Sequence, residues 1–320
     1  MTKFLQLPEE TRRQLIIQVS TKKGMTVQAI EKDWWVTLIL KALFSIPLAT
    51  NFIFKGGTSL SKGWKLIKRF SEDIDIALAP EAFGREYKVA PSHSYVKTLK
   101  KKGCQFTSTV INEALAKRLK ELDVPPGMLQ IEVEAVKPEL PDKDPQSLYI
   151  HYPSLYDSSP YIPNVVKIEF GVRSLKEPYA PVAIRSILAE ETDSTIYTET
   201  TFMVTAVEPR KTFMEKLILL HEKFLMGMNS EDVGERQSRH LSDLREMQQK
   251  GIGTLAIQDS ALYEQLLEHR RHYVRLKNVD YSKMSLSGLL FLPPPKLLEV
   301  FRKDYELMLE EMIYGDAPNF

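Results

Sequence analysis

The chain has 320 residues, 43% hydrophobic and 27% charged, and its 43 Lys+Arg against 42 Asp+Glu leave a formal net charge of +1. That length buries a full core as two domains or one large one, and near-neutrality excludes a global field for nucleic acid, leaving only local patches. One cysteine, Cys104, excludes an intramolecular disulfide or cysteine-based zinc site and suits a reducing cytoplasm; the N-terminus has no apolar signal core, and no run approaches the roughly 18 apolar residues of a membrane span.

Pro8-Glu9-Glu10 suits the first turn of a helix whose apolar stripe is Leu15, Ile16 and Val19. Gly24 interrupts it, and Thr26 can cap a longer helix to about Phe44, with Ile30, Trp34, Leu38 and Trp35, Ile39, Leu43 at helical spacing. The two tryptophans read as core. Pro47 ends this N-terminal helical element, residues 1–47.

An apolar run, Phe52 to Phe54, stops at Lys55-Gly56-Gly57-Thr58, and a short helical pattern follows through Leu60, Trp64 and Ile67. The chain re-enters a strand over Ser71 to Leu78. Period-two alternation puts Asp73 and Asp75 on one face and Ile74, Ile76 and Leu78 on the other. Two such carboxylates repel each other unless a cation sits between them, and hard oxygen ligands favour Mg²⁺ or Mn²⁺. The glycine pair lets backbone N–H groups approach an anion. A metal site and a phosphate site one short helix apart form the layout of a nucleotidyl-transfer centre. It is not a P-loop, because Gly57 is followed by Thr-Ser-Leu-Ser-Lys before Gly63.

Residues 81–105 carry Lys88, Lys97, Lys100, Lys101 and Lys102 among Tyr87, His93 and Tyr95; such a run is more often a solvated helix face than an RNA track. A helix is expected over 107–122 with Val110, Ile111, Leu115 and Leu119 inward, then a turn at Asp123 to Gly127. Strands are expected at 129–135, 148–152 and 164–172, separated by a proline loop at 137–146 and a turn at 157–163. In the third strand Val166, Ile168, Phe170 and Val172 share one face, Lys167 and Glu169 the other. A two-metal site needs a third carboxylate from a strand beside Asp73 and Asp75. Glu169 is the best placed, with Glu132 and Glu134 as rivals.

Further strands are expected at 179–188 and 201–207, around the acidic loop Glu190 to Asp193. Glu208-Pro209 then opens a strong helix with Phe213, Leu217, Leu220 and Phe224 buried and Lys216 one position off that stripe, its ammonium free to reach a triphosphate. After a loop at 227–234, Arg236, Arg239, His240 and Asp243 share one side of a helix, where Arg239–Asp243 reads as an ion-pair ladder and His240 as a surface or packing residue. Gly251 and Gly253 mark a boundary before helical patterns at about 255–277 and 296–313; Arg270, Arg271, Arg275 and Lys277 give the first a basic side able to meet RNA.

KGGTSLSK followed by RFSEDIDIAL resembles the first motif of the AbiEii/AbiGii (MenT-like) nucleotidyltransferase toxins, a branch of the DNA polymerase β-like superfamily. Thr58 stands where many members of that superfamily carry Ser. The Glu31-Lys32-Asp33-Trp34 segment resembles an N-terminal element of the same family, and an acid in a strand before the lysine motif favours Glu169. TFMEKL before His221 resembles its third motif and RHLSDL its fourth, although the family often has Arg-Asp-x-x-Asp where this chain has His240. The resemblance runs over about residues 30 to 245, leaving the residues beyond about 250 outside it.

The resemblance implies an α+β protein: a nucleotidyltransferase core of a small mixed sheet with helices over residues 48–208, and a mostly helical part over 209–320 that completes the active site. It implies that Asp73 and Asp75 hold Mg²⁺ with Glu169 as third ligand, that Gly56, Gly57 and Thr58 bind the nucleotide phosphates with Lys216, and that Asp243 orients Lys216 or the nucleotide. The implied biology is a cytoplasmic toxin of a toxin–antitoxin or phage-defence pair, with a cognate antitoxin, moving NMP from NTP to an RNA such as the tRNA 3′ end. Nucleotidylation of a protein hydroxyl, such as AMPylation, uses the same site. A non-catalytic nucleic-acid-binding scaffold has no need of crowded carboxylates.

Overall fold

The computed structural model describes residues 1–137, 139–140, 143–157, 162–192, 197–226 and 236–320. The loop expected at 227–234 lies outside them, as do Asp193 and parts of the expected loop at 137–146 and turn at 157–163. The chain is α+β, as expected.

Helix α1 (Glu9–Lys23) has acids in its first turn, Lys22 and Lys23 in its last, and stops at Gly24, whose φ of 64° is left-handed. Thr26 caps α2 (Val27–Leu43), its hydroxyl accepting from the Ala29 N–H. Helix α2 is buried almost all round, so it is the core of its half rather than a surface helix. Trp34 and Trp35 pack edge to face within that core. Three charged residues at its start are buried with it: Lys32 pairs with Glu72 at 2.6 Å, Asp33 with Lys62 at 2.5 Å, and Glu31 accepts from the Leu155 N–H at 2.8 Å. These pairs tie the helix to the segments on either side of the glycine turn.

Strand β1 (Phe52–Lys55) leads into that turn, and helical winding from Gly56 ends at Gly63, so the pattern expected through Ile67 stops early. Lys65 takes a positive φ of 54° and the chain runs irregularly to β2 (Ile74–Leu78), three residues later than expected. Helix α3 (His93–Phe106) passes through a π-wound turn at Thr107–Ile111 into α4 (Asn112–Glu121), so the helix expected over 107–122 is the second half of a longer rod; Val110 is 41% exposed rather than inward. Next come β3 (Gln130–Val133), β4 (Gln146–His151), β5 (Val165–Gly171) and β6 (Tyr179–Ile184). The β6 strand ends before residues 185–188 because Ser186 caps a short α5 (Ile187–Glu191). Strand β7 (Phe202–Val207) leads into α6 (Pro209–Leu225).

Among the described residues the strands form one mixed sheet, ordered β3-β4-β5-β2-β1-β7-β6. Strands β2 and β5 run parallel with Asp75 in register with Glu169, while β1 and β2 are antiparallel with Lys55 opposite Asp75. The apolar faces of β1, β2 and β5 pack on α2, which leaves the alternate face for Asp75 and Glu169.

The remaining helices are α7 (Ser238–Gln249), α8 (Ile252–Gln258), α9 (Ser260–Tyr273) and α10 (Leu298–Glu311). The single helix expected over 255–277 begins earlier and breaks at Asp259, which caps α9. A second apolar cluster joins Leu60 and Ile67 to Phe213, Leu217, Leu244 and Leu266. Asp304 of α10 accepts from the Arg236 and Ser238 N–H groups at 2.6 and 2.7 Å, capping α7 from another helix. Beyond α10, the Phe70 N–H donates to the Met312 carbonyl at 2.7 Å, and Arg69 bridges to Ile313. No helix among the described residues is long and apolar enough to cross a membrane.

The buried pair Asp33–Lys62 gives a direct test of how α2 holds the turn. Asp33→Leu strands the Lys62 ammonium in the interior and is expected to cost about 3–5 kcal/mol, whereas adding Lys62→Met returns much of that loss. Urea unfolding of both single variants and the double measures the coupling; a double-variant loss equal to the sum of the two single losses would show that the pair is not coupled.

Candidate active site

One cleft of about 520 Å³ opens where β1, β2 and β5 meet α6 and α7. Lys55, Gly56, Gly57, Ser71, Asp73, Asp75 and Glu169 line the sheet side; Lys216, Lys223, Arg239 and His240 line the helical side, with Arg69 between. The volume falls within the roughly 300–1,000 Å³ of ligand sites.

The glycine turn is set by contact distances. A Cβ on Gly56, whose φ is 75°, would fall 2.0 Å from Asp75 Oδ2; one on Gly57 would fall 2.5 Å from Arg69 Nη2 and 2.7 Å from Ser71 Oγ. Only glycine brings the backbone so near the carboxylate and the guanidinium. Thr58 differs from expectation. It is fully buried, and its hydroxyl donates to the Asp73 carbonyl instead of facing the cleft. It serves as a strut that fixes where Asp73 emerges.

Asp73 precedes β2 and Asp75 lies within it; both project to the cleft. Burial and the neighbouring Glu72 carboxylate push Asp73 above the ordinary range, with Arg239 and Lys167 opposing. Asp75 is pushed up to about 6, chiefly by burial and then by Glu169 and Asp73, against Lys55. Glu169 pairs with Lys167 at 2.7 Å. Its rivals lie elsewhere: Glu132 is exposed on β3 beside His151, and Glu134 is bound to Lys143.

On the helical side, Asp243 has no exposed surface. Arg69 grips it with Nε to Oδ1 at 2.7 Å and Nη2 to Oδ2 at 2.8 Å, and Lys216 Nζ lies 3.0 Å from Oδ2. Burial alone would raise the Asp243 carboxyl, but Arg69 and Lys216 together hold it below the usual range. Burial pulls the Lys216 ammonium down and Asp243 resists. The expected Arg239–Asp243 ladder is therefore replaced by a bidentate pair with Arg69, 174 residues away. Arg239 instead faces the cleft with Nε buried and unpartnered. His240, read as a surface or packing residue, is half-buried in the cleft wall and packs on Lys216, its Nδ1 3.2 Å from Lys216 Nζ. Lys223, lowered to about 8 by burial and Arg239, lines the same wall.

The sequence reading missed Arg69, Lys55, Ser71 and Lys223; the only signal for Arg69 was its place between the glycine turn and Asp73. Arg270, expected to present a basic side, turns inward to the buried Glu222, with Nε to Oε1 at 2.6 Å.

The carboxylates suit a hard divalent cation. Among the described residues no three His, Cys, Asp or Glu side chains form a ready-made metal cage. Mg²⁺ is commonly held by only one or two carboxylates plus substrate phosphates, and Asp73 and Asp75, both driven toward the neutral form by burial and nearby acids, match that demand.

A mixed sheet bearing acids across from a cationic helical wall is an arrangement suited to handling polyphosphates. The family model described as "Nucleotidyl transferase AbiEii toxin, Type IV TA system" matches residues 38–320. The chain belongs to this family of nucleotidyltransferase toxins from toxin–antitoxin systems. The match reaches residue 320, well past the expected limit near 250, and begins after Glu31-Lys32-Asp33-Trp34. No curated protein matches the chain.

Asp75 makes stability depend on pH with a definite sign. Its folded value of about 6 lies above the ordinary 3.8, so its favourable contribution is complete below about pH 4 and lost as pH rises through 6. In metal-free buffer at pH 7.5, Asp75→Asn is expected to be more stable than wild type by on the order of 1–3 kcal/mol, and equal to it near pH 3.5. Urea midpoints across that range check this; a variant less stable at pH 7.5 would contradict it.

Proposed function

We propose that the chain transfers a nucleoside monophosphate from an NTP to a hydroxyl of an RNA acceptor, the tRNA 3′ end being the candidate, in the cytoplasm and under control of a cognate antitoxin. The observation that carries the reading is the shared cleft, with Asp73, Asp75 and Glu169 on one wall and Arg69, Lys216 and Arg239 on the other. Asp73 and Asp75 would hold one Mg²⁺ or Mn²⁺ and Asp75 with Glu169 a second, supplying charge neutralisation on the phosphates and a more acidic acceptor hydroxyl.

The chain's own residues do the positioning. Gly56 and Gly57 let the triphosphate lie against backbone where any side chain would collide with Asp75 or Arg69. Lys216 and Arg239 face the charge that accumulates on the departing pyrophosphate, and Asp243 keeps Lys216 and Arg69 in place. Thr58 fixes the Asp73 carbonyl, which sets the carboxylate's direction. The long Lys167 stem lets its ammonium swing off Glu169 when a cation takes over that charge. Catalysis of this kind is placement plus electrostatics, with no covalent nucleophile.

The RNA acceptor is suggested by a second depression of about 470 Å³, lined by Lys100, Lys137 and Lys143 together with Glu134, which pairs with Lys143; this depression meets the cleft at Asp144. Exposed Lys97, Lys101 and Lys102 on α3 extend positive charge away from it, as a phosphate backbone requires.

The test incubates purified protein with Mg²⁺, each labelled NTP, total tRNA and cell lysate, then divides the product between RNase and protease. Label is expected in RNase-sensitive material, reduced at least about a hundredfold by Asp75→Ala. Label that survives RNase but not protease would reject the RNA acceptor in favour of a protein hydroxyl. Undiminished transfer by Asp75→Ala would reject the site itself.

A further inference from the structure

The cationic wall carries a neutral group to which the proposed reaction gives no task. His240 sits three residues before Asp243 on α7, so both side chains face α6 and converge on Lys216. Lys216 Nζ lies 3.0 Å from Asp243 Oδ2 and 3.2 Å from His240 Nδ1. An ammonium has donors only, so Nδ1 presents its lone pair and the ring proton resides on Nε2. The ring is therefore neutral when this contact is made. Its setting enforces that state: burial, Lys216 and Arg239 hold the imidazolium form well below the ordinary range, and Lys223 adds to them against Asp243.

Charge explains why a neutral acceptor belongs here. Asp243 already cancels one of the two charges on Arg69 and Lys216. A second carboxylate at position 240 would cancel the other, so that of the wall's cations Arg239 and Lys223 would remain to meet a polyphosphate without the ammonium of Lys216. Resting on the reading of the cleft as an NTP site, we propose that His240 is a positioning residue, a neutral acceptor that fixes the Lys216 ammonium while leaving its charge available to the triphosphate. Lys216 thus has two anchors and one remaining N–H for substrate.

Three full-length variants separate acceptor from charge. His240→Asn keeps a neutral acceptor, His240→Leu removes it, and His240→Asp supplies an acceptor with charge. Calorimetric titration with a non-transferable NTP analogue and steady-state transfer give Kd, KM and kcat, with thermal unfolding as the folding control. His240→Asn is expected within about threefold of wild type in kcat and KM, and His240→Leu to lose about tenfold or more in kcat. His240→Asp is expected to weaken analogue binding and raise KM about tenfold or more, with kcat less affected. If His240→Leu does not fold, the near-isosteric Asn and Asp variants still decide the matter. Asn no better than Asp, or Asp binding the analogue as tightly as wild type, overturns the proposal. Wild type that binds the analogue without labelling RNA fails the RNA reading alone and leaves the binding comparison intact; wild type that binds no nucleotide overturns both.

Discussion

The Asp243 carboxylate is the point on which the two halves of the cleft depend. It is wholly buried, yet it stays ionised because Arg69 comes from the segment before β2 and Lys216 from α6. Removing a charge from water is costly, and only a short, multiply bonded cluster offsets that cost. The cluster has to be complete: with either cation absent the carboxylate is underpaired, and with the carboxylate absent two buried cations repel each other. One anion thereby sets the separation between the glycine turn and the lysine helix.

A similar economy of buried charge runs through the front of the molecule. Lys32 and Asp33 on α2 reach past the sheet to Glu72 and Lys62, the residues flanking Asp73 and following the glycine pair. Arg236, at the entry to α7, also reaches Glu72 at 3.3 Å. The site's loops are thus held by ion pairs from two distant parts of the chain, α2 and the entry to α7, in addition to the apolar cores beneath them. Buried pairs add little net stability over apolar residues of like shape, but each tolerates only one partner arrangement. That trades stability for definition, which suits a site where two glycines leave no room for a shifted carboxylate.

The alternation of Asp73-Ile74-Asp75-Ile76 and of Val166 to Phe170 made the acid-bearing faces legible, because period two is a local property of a strand. Glu169 could be favoured over Glu132 and Glu134 by its place in the chain, and the sheet order puts it beside Asp75. The α1, α2 and α6 stripes were legible for the same reason at period 3.6. Partner choice was not. Arg239 is the nearer cation to Asp243 in sequence, yet a fully buried carboxylate is claimed by whichever guanidinium the tertiary fold presents in bidentate geometry, and that is Arg69. Arg270 looked solvent-facing until Glu222 and Tyr281 gathered around it. Thr58 misled because a hydroxyl beside two glycines suits a phosphate equally well on paper, whereas helical winding turned it to the Asp73 carbonyl.

The bridge from residues 312–314 back to Lys68, Arg69 and Phe70 also imposes an order in time. Translation proceeds from the N-terminus, so the glycine turn and both aspartates leave the ribosome long before α10, which caps α7 through Asp304, and the segment after it that bridges to Arg69. A partly synthesised chain can collapse its sheet around α2 while the cationic wall is still missing. The backbone contacts that steady the Arg69 segment form only after residues 312–314 have emerged, although Arg69, Lys216 and Asp243 themselves are made earlier.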